Sequence, residues 1–132
     1  RYVCRSGGKA GARTKSRGDR KMDTLANFRT TIKIVLEPYT KIPYSHGDLI
    51  CKAVFDDNSD SYLLVTLGWD KAKRIHGCLV HLDIIDNKIW VQRDETEYGV
   101  TKELVAAGIP KDSIVLGFHP ADVRPHTGYA VA

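Results

Sequence analysis

Residues 80 to 93 read VHLDIIDNKIWVQR, and the pair Asp86-Asn87 near their centre divides two runs of alternating character. Asp and Asn tolerate the positive φ of a two-residue hairpin turn, so the stretch predicts two antiparallel strands joined tightly. Such a turn sets the register: Ile84 opposite Ile89, Asp83 opposite Trp90, Leu82 opposite Val91 and His81 opposite Gln92. Because side chains alternate across a strand, Val80, Leu82, Ile84, Ile89 and Val91 fall on one face. His81, Asp83, Trp90 and Gln92 fall on the other. An apolar face backed by a polar one suits an antiparallel sheet covered on a single side.

Upstream, Leu49 to Phe55 and Tyr62 to Trp69 are β-rich runs separated by the turn cluster Asp56-Asp57-Asn58-Ser59-Asp60, which predicts an earlier hairpin. A loop around Asp70 to Lys73 leads into the long strand that ends at Ile85, making a four-stranded meander. Ahead of it, Leu25, Phe28, Ile32, Val35, Leu36 and Tyr39 recur at helical spacing behind Asp23, a good N-cap. Pro38 and Pro43 should end this helix near residue 40.

Downstream, a second helix is expected over roughly Tyr98 to Ala107, with Val100, Leu104 and Val105 on its apolar side. Gly108 and Pro110 terminate it, Ile114 to Phe118 reads as a short last strand, and the tail from Pro120 is irregular. The order α-β-β-β-β-α-β predicts an α+β domain, a mostly antiparallel sheet with helices packed on one face.

The 132 residues are 42% hydrophobic, enough for one core. No apolar run approaches the ~20 residues that cross a bilayer, and charges stand where a signal peptide has its apolar region. A cytoplasmic protein with no membrane partner is expected. Cys4, Cys51 and Cys78 form no CxxC pair and are read as reduced thiols, the latter two packed within strands.

The formal net charge of +4 is unevenly divided at Met22, the sole methionine. Residues 1 to 21 carry Arg1, Arg5, Lys9, Arg13, Lys15, Arg17, Arg20 and Lys21 against Asp19, and the remainder is net acidic. The first segment is expected to be a disordered basic extension, and residues 22–132 a single domain. One reading of the extension is a phosphate-binding arm. The favoured one is translated sequence upstream of a start at Met22.

The polar face His81, Asp83, Trp90 and Gln92 is a candidate interaction surface with Trp90 as anchor, since tryptophan is enriched at binding hot spots. An ordinary solvated face is equally compatible with it. Asp94, three residues before Glu97 and just ahead of a helix, has capping-box spacing, and Arg93 is expected on the core side at the strand end, paired with a nearby acid. Lys71, Lys73 and Arg74 form a local cationic patch that would suit phosphates. His46, His76, His119 and His126 are scattered, and no phosphate loop or nucleophile elbow is present. Neither a cofactor, a metal site nor catalysis is expected.

Four stretches in order carry a family resemblance: MDTLANFR from Met22, GWDKAKRIHGCLVHLDIIDNKIWVQRDETEYGV from Gly68, KELVAAGIPKDSIVLGFHP from Lys102 and the closing RPHTGYAVA. Together they resemble the XisI family, the fdxN-element excision controlling factors of cyanobacteria, from Met22 to Ala132. The resemblance implies a small α+β accessory protein linked to site-specific DNA excision during heterocyst differentiation. It also implies an XisH-like protein as partner, with any DNA chemistry residing there and DNA contacted indirectly through a recombination complex. A homo-oligomer is a further expectation, and direct DNA binding is the alternative. A metal-dependent enzyme using His81, Asp83, Asp94 or Glu97 ranks behind both. The resemblance transfers no catalytic or ligand residues.

Overall fold

The structure, a computed structural model, describes residues 17–41 and 48–132, with side chains from Thr24 onward. Helix α1 spans Arg17–Leu36 and passes into a 3-10 turn at Glu37–Lys41. Strands β1 (Asp48–Asp56), β2 (Ser61–Asp70), β3 (Lys73–Ile85) and β4 (Lys88–Asp94) follow, then helix α2 (Val100–Ala106) and strand β5 (Ile114–Leu116). The sheet order is β1-β2-β3-β4-β5, antiparallel throughout except that β5 runs parallel to β4. The expected α-β-β-β-β-α-β order and α+β class are what the chain adopts.

One core occupies one side of the sheet. From α1 it takes Phe28, Ile32, Val35 and Leu36, from α2 Val100 and Leu104, and from the sheet Tyr62, Leu64, Val80, Leu82, Ile89 and Val91. The period-two face expected around the Asp86-Asn87 turn is therefore the buried one. Both turn residues adopt positive φ, 49° and 66°, as a tight hairpin requires.

Several boundaries depart from the sequence reading. Helix α1 begins at Arg17, ahead of the expected cap at Asp23, so helical backbone enters the segment expected to be disordered. Residues 1–16, with Cys4, and His46 lie outside the described residues. The expected loop at Asp70 to Lys73 is a two-residue turn, because Lys71 takes a φ of 59° and lets Asp70 pair with Lys73. Helix α2 starts two residues later than Tyr98, and β5 ends at Leu116 rather than Phe118.

The register of the second hairpin also shifts. Ile84–Ile89, Asp83–Trp90 and Leu82–Val91 pair as expected, but His81 faces Arg93, with Gln92 as the extra residue of a bulge. That one-residue insertion moves Arg93 off the core side and brings Asp94 opposite the buried Val80. A second bulge, at Leu79, separates the pairs Leu64–Val80 and Val65–Cys78.

Candidate functional site

On the sheet face away from the helices, Asp83 gathers the polar residues singled out in the sequence. Its carboxylate accepts hydrogen bonds from Ser61 Oγ at 2.7 Å and Gln92 Nε2 at 3.3 Å, and lies 3.0 Å from His81 Nε2. Ser61 and Trp90 stand opposite Asp83 on its two neighbouring strands. His81, Asp83 and Gln92 therefore do converge, and Ser61 joins them through a pairing that only the β2–β3 register specifies. In this network Ser61 addresses the carboxylate rather than the imidazole, so it lacks the serine–histidine contact of an activated nucleophile. Among the described residues, no group of three or more His, Cys, Asp or Glu could hold a metal ion.

Trp90 belongs to the same face but is only half exposed. The C-terminal segment crosses it: Arg124 lies 5.0 Å over the indole, and Ala130 bridges to Val115 beside β5. Val115, opposite Trp90, is fully buried although its side points away from the main core. Arg124 is fixed over the ring by donating from Nε to the His119 carbonyl. The irregular tail thus acts as a local cover that hydrophobic periodicity does not reveal.

The exposed apolar surface is displaced towards β1 and β2. Ile50 is 59% exposed, Val54 44% and Trp69 49%. Cross-strand pairing sets Ile50 beside Leu67 and Val54 beside Leu63, which extends the apolar stripe over two strands. These residues escaped the sequence reading because β1 was assigned as a strand without assigning its faces.

The cations expected to contact phosphates cluster at the end of the β2–β3 hairpin. Lys71, Lys73 and Arg74 are all exposed, and the Arg74 guanidinium stands 5.4 Å over the Trp69 ring. Beside them, an open depression of about 370 Å³ is lined by Thr66, Arg74, Ile75, His76, Gly77, Cys78 and Leu79. Burial pushes the thiols of Cys51 and Cys78 up, away from the reactive thiolate form.

Asp94, Arg93 and Glu97 divide their roles differently from the expected capping box. Gly99 occupies the N-cap of α2, and the Asp94 carboxylate reaches over the intervening turn to accept from Val100 N at 2.8 Å and from Thr96 N and Oγ1. Glu97 precedes the helix and is exposed, so it cannot serve as the third residue of a box. Arg93, exposed because of the bulge, donates to the Cys78 carbonyl and pairs with Glu95 at 3.4 Å.

Comparison with known proteins gives these features a context. The chain is similar to a XisI-like protein from Anabaena variabilis ATCC 29413 whose crystal structure superposes with a TM-score of 0.75. The two are 33% identical over 82% of this chain and 99% of that one. It is also similar to the fdxN element excision controlling factor XisI from Anabaena variabilis ATCC 29413, at a TM-score of 0.70 and 33% identity, covering 83% and 100% of the two chains. A search of curated proteins gives no match. The family model described as XisI protein matches residues 22–131. On a match across that span and a shared fold with two solved structures, the chain belongs to the XisI family.

Proposed function

We propose that this protein is a non-catalytic accessory factor in controlled DNA excision that acts by binding an XisH-like protein. Membership in a family with a structure described as an excision controlling factor supports the biological setting. The observation that carries the binding role is the apolar stripe of Ile50, Val54 and Trp69 on the helix-free face. Single exposed apolar side chains are ordinary, but a contiguous group flanked by Leu63 and Leu67 marks a surface that association would bury. The test is size-exclusion chromatography with light scattering on the full chain, alone and mixed with the XisH-like protein. A mixed complex weakened at least tenfold by Ile50→Asp is the expected result. Failure to associate at micromolar concentrations, with the circular dichroism of a folded protein, would overturn the proposal.

A second reading is direct DNA contact through the hairpin end, favoured by the proximity of Lys71, Lys73 and Arg74. Counterion release makes that reading quantitative: affinity for duplex DNA should fall steeply with salt, and charge reversal at these positions should flatten the slope.

A further inference from the structure

Strand β3 is longer than its partner on one side. Lys73 to Cys78 pair with β2, whereas β4 pairs only with the segment from Val80 to Ile85. The chain leaves the sheet after Asp94, with the Glu95 N–H donating to the Leu79 carbonyl, and among the described residues no strand continues the row beyond it. The Cys78 carbonyl points into this vacant row, since Arg93 Nε donates to it at 2.9 Å from the β4 side. Backbone groups of a strand alternate in direction, so the N–H and C=O of His76 and Arg74 face the same way. The open depression described above lies along this segment, and at Gly77 even an added Cβ would meet nothing within 4 Å.

The other sheet edges are less receptive. Ala130 bridges β5 and donates its N–H to the Ile114 carbonyl. Along β1, Asp48, Lys52 and Asp56 alternate with Ile50 and Val54 on the outward side, and charges of both signs oppose indiscriminate strand addition there. At the β3 row the charge is mainly positive: Lys71, Lys73 and Arg93 lie near it, and Arg74 stands on the segment itself with its guanidinium turned over Trp69 of β2, against Asp70 and a Glu95 already paired with Arg93. A second copy of the chain docking by the same edge would set these cations against one another, which is unfavourable for directly opposed residues. The backbone groups of Arg74 and His76 on this side have no strand partner among the described residues, which distinguishes the site from a simple cationic patch, because an added strand satisfies them and a nucleic acid duplex does not.

We infer that the β3 segment Lys73–Cys78 is a β-augmentation site for an extended acidic segment of a partner protein. The inference rests on the accessory-factor reading for the partner's identity and deepens it by naming the chemistry of the segment. The added strand would occupy the row that β4 leaves empty. Its backbone would pair with Arg74 and His76, and its carboxylates would lie among Lys73, Arg74 and Arg93.

The experiment is amide hydrogen exchange on the full chain with three separate additions: the XisH-like protein, a blocked nine-residue peptide of alternating Glu and Thr at millimolar concentration, and a duplex DNA fragment. The expected result is slowed exchange at the Arg74 and His76 amides with the protein and with the peptide, and at least tenfold weaker peptide binding by Lys73→Glu/Arg74→Glu. His76→Pro, which removes one of the paired N–H groups, should abolish that protection. The charge-reversal pair supplies the same test if the proline variant does not fold. A complex with the XisH-like protein that leaves both amides unprotected would overturn the augmentation site while leaving the accessory role intact. Protection by the peptide without association of the XisH-like protein would sustain the site and reject that partner. No protection by either, or protection by DNA alone, would overturn the inference.

Discussion

The guanidinium of Arg124 covers the indole of Trp90 from a segment 34 positions later in the chain, at 5.0 Å. The tryptophan read in the sequence as an anchor on the polar face is thus half covered by the tail. Arg124→Ala should remove the stacking and the bond to His119, lowering stability by about 1 kcal/mol. In a Trp69→Phe background, acrylamide quenching of the remaining Trp90 fluorescence should increase. Unchanged quenching would show that the tail covers the ring without Arg124.

The buried Tyr62 hydroxyl donates to Asp57 at 2.6 Å, and burial followed by this carboxylate pushes the phenol's pKa up. A phenol whose folded pKa exceeds its unfolded value of about 10 contributes stability that is fully present below that pH and disappears as the pH rises through the folded value. Tyr39, raised by burial and by its hydrogen bond to Glu103, behaves with the same sign. Urea unfolding between pH 7 and 11.5 should therefore show stability falling above about pH 10. Tyr62→Phe should cost about 1 kcal/mol at neutral pH and reduce that alkaline loss, leaving the part due to Tyr39.

The same carboxylate contributes to the acid limb. Lys33 Nζ at 2.8 Å and then Tyr62 hold the Asp57 pKa below its ordinary value. A depressed carboxylate stabilises above its unfolded pKa of about 4 and loses that contribution as pH falls through the folded one. Lys33→Ala should make unfolding less pH-dependent below about pH 4, measured by urea midpoints across that range.

Gly68 pairs with Leu49 at a φ of 146°, and an added Cβ would stand 1.9 Å from the Asp48 carbonyl oxygen. Backbone cannot rotate aside as a side-chain tip can. Gly68→Ala should therefore separate β1 from β2 locally, cost about 3 kcal/mol and lower Tm by about 10 °C. Gly77→Ala, in open space on the same hairpin, is the control and should shift Tm little.

Asp94 and Glu97, adjacent in the sequence reading, should separate cleanly in experiment. Asp94→Ala deprives Val100 N and the Thr96 turn of their acceptor and should cost about 1–2 kcal/mol. Glu97→Ala should change stability by less than about 0.5 kcal/mol, as expected of an exposed position ahead of the helix. Thermal melts of the two variants decide the matter, and equal losses would restore the capping box.

The elements that were legible in the sequence are those governed by local chemistry. Asp86-Asn87 dictated its turn, and the alternation from Val80 to Val91 identified the buried face, because each depends on neighbours one or two residues apart. Gln92 could not be recognised as a bulge in the same way. Its displacement places the Asp94 carboxylate at α2, a requirement set by a helix that starts six residues beyond Asp94. Nor could Ser61 be joined to Asp83, or Arg124 to Trp90, since those contacts arise only after strands and tail have assembled. The vacant row beside β3 was equally hidden: it follows from a difference in strand length, and neither strand's composition encodes it.

The sheet order matches the chain order from β1 to β5. Each of the first four strands can therefore find its neighbour by closing a loop of a few residues, so most of the entropy of chain closure is lost in small steps. Only β5 must wait for an intervening helix before it can dock in parallel against β4. During synthesis, the meander emerges and can zip together while Ile89 and Val91 still lack Ile114 and Leu116 beside them. Docking of β5 sets Ile114 and Leu116 beside Ile89 and Val91, so the β4 side of the meander is the part of the sheet that chain order leaves until last.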